Sequence, residues 1–118
     1  MSDKVAVILS GCGVYDGTET HEASAVCVAI SRAGKKPVFF SPDTTLYHEI
    51  NHVTLEADSD TRRSALIESG RIARGNILKL SVSITEHLII IFIFLELCYP
   101  VRIFIHKVYR LKYLHFFI

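Results

Sequence analysis

The chain has 118 residues, half of them hydrophobic, and a formal net charge of +1. That length suits one small domain with enough apolar side chains for a core, and a second domain is not expected. The near-zero charge speaks against an electrostatically driven nucleic-acid binder. Three widely spaced cysteines, Cys12, Cys27 and Cys98, are no disulfide framework, and no CxxC pair or Cys/His cluster suggests a structural zinc.

Charge is unevenly spread. All but two of the acids lie before residue 81, and after Glu96 the remaining charges are Arg102, Lys107, Arg110 and Lys112. Composition changes near residue 80, so the chain reads as a segment 1–80 and an apolar, mildly basic tail 81–118. The N-terminal apolar run is strand-like and lacks a basic region before it, so no signal peptide or organellar presequence is visible.

In chain order, Val5 to Leu9 is a continuous apolar run ending at Ser10-Gly11, the pattern of a buried parallel strand. The loop Gly11-Cys12-Gly13-Val14-Tyr15-Asp16-Gly17 breaks it. His21 to Ala33 is predicted as a helix, with Ala23, Val26, Cys27 and Ile30 on its apolar face and Gly34 as its stop. Thr18 or Thr20 is the candidate cap, with Glu19 and Glu22 near the positive end of the helix dipole. Pro37 to Ser41 reads as a second strand. Thr61 to Arg74 reads as a second helix, with Leu66, Ile67, Gly70 and Ile72 on its apolar side. Leu88 to Leu95 would serve as a third strand.

This βαβα alternation, followed by a third strand, predicts an α/β fold: part of a flavodoxin-like, doubly wound parallel sheet. Ligands bind such sheets at the carboxyl ends of the strands, where the Gly11–Gly17 loop falls. The apolar run Leu88–Leu95 is far shorter than the roughly 20 residues of a membrane span, and Glu96 and Pro100 follow it. Membrane attachment is therefore not expected. Exposed apolar surface on the tail is, and with it association into a homo-oligomer.

Three patterns carry candidate chemistry. Gly11-x-Gly13-xxx-Gly17 invites a dinucleotide reading, but its third glycine is one place late, and a tight turn needing glycine explains it as well. His48-Glu49-Ile50-Asn51-His52 matches the HExxH zinc pattern, which needs a helix and a third ligand. Pro42 upstream and the extended-looking Val53-Thr54-Leu55 argue against that helix, so no metal is expected. His21 and Glu22 open the first helix beside the glycine loop. A carboxylate there is either a helix-dipole partner or an acid/base group. Cys12 is either a reactive thiol or a small residue in a turn, and Cys27 reads as core.

The blocks VAVILSGCGVYDGTETHEASAVCVAISRAGKKPVFFSPD, INH and TRRSALIESGRIARGNI resemble the ElbB family of class I glutamine-amidotransferase-like proteins, within the PfpI superfamily. The resemblance runs over roughly residues 4 to 80. It implies glyoxalase-like chemistry in full-length relatives: a cysteine thiolate attacks an α-oxoaldehyde such as methylglyoxal, and a glutamate manages the proton transfer to a hydroxy acid, without glutathione, metal or other cofactor. Glu22, twelve residues before Gly34, matches that glutamate. Gly11, Cys12, Gly13, Tyr15, Asp16, Gly17 and His21 then line the ligand-facing loop, and a small carbonyl metabolite is the expected partner. The family retains the histidine matching His52 but not the one matching His48, so HExxH is read as accidental.

The family's PGGFGxAKNL loop and the later elbow carrying its nucleophilic cysteine do not occur in this chain, and Cys98 lacks the required context. The expectation is a C-terminally truncated or alternatively spliced form, inactive for want of the nucleophile. A non-enzymatic small-molecule-binding or protein-interaction module is the alternative, or a chain associated with a membrane through its tail. Animal relatives imply mitochondria as the location, with cytoplasm as the alternative.

Overall fold

The computed structural model describes residues 3–60 and 62–80, and the backbone of 89–92. Strand β1 (Lys4–Ile8) lies inside a four-stranded sheet of order β5-β2-β1-β6. It pairs in parallel with β2 (Lys36–Ser41), setting Val5 beside Pro37 and Ile8 beside Phe40. On its other side it pairs in parallel with β6 (Ile89–Phe92), from Val5 beside Ile89 to Ile8 beside Phe92. Strand β5 (Ile77–Lys79) joins the outer side of β2, also in parallel. The apolar run of β1 follows from this position. Val5, Val7 and Leu9 enter one core cluster, while Ala6 and Ile8 alternate to the opposite face and are fully buried too.

Helix α1 (Thr20–Arg32) covers the Val5–Val7–Leu9 face through Ala23 and Ile30, with Val26 packed against the cluster. Helix α2 (Ala65–Ala73) adds Ala73 and Ile72 to it. Each fully buried aliphatic side chain contributes about 1.5–3 kcal/mol relative to exposure. Between β2 and α2 the chain makes a small antiparallel hairpin, β3 (Glu49–Ile50) with β4 (Ala57–Asp58). The Asn51 side chain accepts the Val53 and Thr54 amides at 2.9 and 3.3 Å and so shapes its turn. The bridge between Thr45 and Ser64 brings the chain back to α2.

Several expectations need correction. Neither Thr18 nor Thr20 caps α1: Glu19 does, its carboxylate accepting the Glu22 amide at 2.8 Å. Helix α2 starts at Ala65 rather than Thr61, because Ser64 is the residue whose hydroxyl caps Ile67. Of its expected apolar side, Leu66, Gly70 and Ile72 are half-buried and Ile67 turns outward. Ile67 is 72% exposed, while Glu68 is buried. The charge is tolerated there because Arg63 and Arg71 reach the Glu68 carboxylate at 3.0 and 2.8 Å. Strand β5, only three residues long, adds a strand beyond those the sequence predicts, so the strand within 88–95 is the fourth of the sheet and not the third. His48 to His52 is no helix, since β3 occupies Glu49–Ile50. Apart from β6, the tail 81–118 lies outside the described residues, and Cys98 with it.

Candidate functional site

From β1 the sheet grows one way through β2 and β5, while β6 lies on the opposite side. The boundary between β1 and β6 is thus a switch point, the place where open sheets of this kind bind ligands at the strands' carboxyl ends. The chain leaving β1 there is the glycine loop. Its neck is closed by the Thr18 hydroxyl, which accepts the Ser10 amide at 2.7 Å, and by the Thr18 amide donating to Ser10 O at 3.1 Å. The Gly13 amide donates to Thr18 O at 2.9 Å. Gly17 is required by close approach: a Cβ there would lie 2.7 Å from the Cys12 nitrogen and 2.9 Å from the Gly11 carbonyl carbon.

Two other segments hold the loop from outside. The Ser69 hydroxyl on α2 accepts the Gly11 amide at 2.8 Å and lies 3.0 Å from the Ser41 hydroxyl at the end of β2. All three residues are buried. From the hairpin, the Ile50 amide donates to the Asp16 carboxylate at 2.7 Å. His52 sets Nε2 against the Val14 carbonyl and Nδ1 2.8 Å from the Ile50 carbonyl. Its ring centroid is 5.8 Å from that of Tyr15, and His48 Nε2 is 3.4 Å from Tyr15 O. Both histidines of the HExxH pattern therefore face backbone carbonyls. Among the described residues no group of three or more His, Cys, Asp or Glu could hold a metal ion.

Glu22 stands exposed in the first turn of α1, immediately after the loop. His21 points to solvent and pairs with Glu19 at 2.8 Å instead of facing the loop. That contact, with the Glu22 amide, holds the Glu19 carboxyl below its ordinary range. Cys12 is half-buried, and burial pushes its thiol up. Arg71 and Arg63 pull it down and Glu68 and Asp16 push it up, but desolvation is the largest cause. Such a thiol is not an activated thiolate. Cys27, half-buried on α1, is raised by burial alone.

The structure holds Gly11 to Gly17 in one tight loop, leaves Glu22 exposed in the first turn of the helix that follows, and pairs His21 with Glu19. It adds Thr18, Ser41, Ile50, His52 and Ser69 as the residues that hold the loop. Of these, Thr18, Ser41 and Ser69 each adjoin a glycine or proline, and Ile50 and His52 do not. Nothing local in the sequence pairs residues 58 positions apart, as Gly11 and Ser69 are.

Over 78 residues the chain is 51% identical to the ES1 protein homolog, mitochondrial, of Rattus norvegicus, a match covering 66% of this chain and 29% of that protein. It is 50% identical over 78 residues to the glutamine amidotransferase-like class 1 domain-containing protein 3, mitochondrial, of Homo sapiens, with the same coverage. To the ES1 protein, mitochondrial, of Danio rerio it is 35% identical over 71 residues, 60% of this chain and 26% of that protein. The chain spans less than a third of the length of these curated relatives. Its fold superimposes on the crystal structure of an isoprenoid biosynthesis protein with amidotransferase-like domain from Ehrlichia chaffeensis. The TM-score is 0.70 at 30% identity, covering 76% of this chain and 42% of that one. No protein-family model matches the chain.

Proposed function

Since this chain is, over 78 of its residues, a class I glutamine amidotransferase-like protein of the ES1/ElbB-like family, we propose that it carries the acid/base half of a thiol-dependent carbonyl site. In this reading Glu22 moves protons for an α-oxoaldehyde such as methylglyoxal bound over the glycine loop. The attacking thiolate comes from a segment these described residues do not contain. The observation that carries the proposal is the position of Glu22: first turn of α1, directly behind the loop that leaves β1 at the switch point. Cys12 does not substitute for the nucleophile in this reading, because burial pushes its thiol up, the opposite of what activates a cysteine.

The reading predicts that the 118-residue chain by itself consumes no methylglyoxal above background. A chimera in which residues 3–80 replace the matching region of the rat relative is expected to consume it, with turnover falling about 100-fold in Glu22→Gln. Robust turnover by the 118-residue chain would refute its inactivity. Full activity of the Glu22→Gln chimera would remove the role of Glu22. The mitochondrial names of the relatives support a mitochondrial location, and fractionation of cells expressing the chain tests it.

A second reading, an interaction module that includes self-association, is favoured by one observation. Tyr47, Val53 and Leu55, in and beside the hairpin, are large apolar residues left exposed. A strictly monomeric chain in light scattering at high concentration would count against self-association.

A further inference from the structure

We propose that His52 is a proton-operated latch on the glycine loop. Its imidazole lies between two carbonyl oxygens, that of Val14 in the loop and that of Ile50 in β3. A carbonyl oxygen only accepts, so both contacts are hydrogen bonds only when both ring nitrogens carry hydrogens. A neutral ring has one N–H, and its other nitrogen then turns a lone pair toward an oxygen lone pair. One contact must be given up. The Ile50 carbonyl is only two residues away in the chain and stays within reach when the loop moves, whereas the Val14 carbonyl is 38 positions distant. The neutral ring therefore keeps Ile50 and releases Val14.

Charged and aromatic groups from both segments meet at this junction. Asp16 brings its carboxylate to the same junction, accepting the Ile50 amide at 2.7 Å. Tyr15 offers its ring to His52, and Glu49 is engaged by Arg63 at 3.5 Å on the hairpin. Glu56 lies on the hairpin turn, where it accepts from the Thr54 hydroxyl at 3.3 Å. The opposing group is His48, whose Nε2 is 3.4 Å from Tyr15 O and which adds like charge when protonated. Gain or loss of one ring hydrogen therefore makes or breaks the loop's outer tie. The inner ties do not titrate: the Thr18 neck and the Ser69 contact to Gly11 remain. Opening is accordingly confined to the part of the loop around Val14.

The test is nuclear magnetic resonance on the 15N-labelled full chain between about pH 5 and pH 8. Ring-nitrogen shifts of His52 report its hydrogens, and exchange of the Ile50 amide, corrected for intrinsic rates, reports opening, while the Gly13 amide, bonded to Thr18 O in the neck, is the internal reference. We expect protection of the Ile50 amide to fall roughly tenfold as the ring loses one hydrogen, and that of Gly13 to stay, in the native chain and in His48→Gln alike. His52→Phe, which keeps a ring against Tyr15, is expected at the lower protection at every pH. PH-independent protection in the native chain would overturn the latch, and so would a native-like pH response in His52→Phe. Should that variant not fold, a His52 ring carrying a single N–H throughout the range, in the native chain, overturns it equally. None of these measurements uses catalytic turnover, so the latch stands or falls separately from the carbonyl chemistry.

Discussion

Gly17 and Gly34 are both glycines at chain bends, yet the physics demanding each differs. At Gly17 the space for a Cβ is filled by backbone atoms of Cys12, Gly11 and Ser10, which cannot swing aside. At Gly34 nothing lies within 4 Å, and the demand is only the left-handed φ of +69° that ends α1. Gly34→Ala should therefore cost about 1 kcal/mol. Gly17→Ala should cost about 3 kcal/mol, since the loop neck must open to admit it. Urea denaturation of the two variants checks the ordering. Equal losses would mean that the neck is looser than its distances imply.

Among elements, α1 has an unusual entrance. A glutamate caps it, and that carboxyl is held below its ordinary range by the His21 contact and the Glu22 amide. A depressed carboxyl in the folded state contributes stability that is present above the unfolded carboxyl range and is lost as pH falls through the folded value. Glu19→Gln should thus be less stable than the native chain near neutrality. The gap should close as pH drops below the ordinary glutamate range of about 4.3. Paired urea titrations at neutral and acid pH measure it, and a gap that persists in acid would assign the loss to something other than ionisation.

The same elements explain what was legible from sequence. β1, α1 and β2 carry long, regular patterns, because each buries a continuous face, and their bounds came within a residue or so. β3, β4 and β5 are two or three residues long, too short for any period to show. Helix α2 misled because its inward position is filled by Glu68, neutralised by two arginines, while Ile67 faces water. The glycine loop could be seen at once. The Ser69, Asp16 and His52 contacts that hold it could not, since they join segments distant in sequence through hydrogen bonds to backbone atoms.

At the scale of the whole molecule, the sheet closes its most buried strand with its most distant one. β1 meets β2 after one helix, but its other side waits for Ile89–Phe92. Pairings of such long sequence separation are slow to form, since chain entropy must be given up before any contact is made. In the interval the apolar side of β1 is an unpaired edge able to accept strands from other molecules. Refolding from urea should therefore give a yield that falls as protein concentration rises, measured as the soluble fraction after dilution. A yield independent of concentration would argue that β6 docks before chains can meet. In a cell the same interval opens during synthesis. The strand at the centre of the sheet leaves the ribosome first and stays exposed on one side until its last neighbour is made, a window in which a chaperone has something to hold.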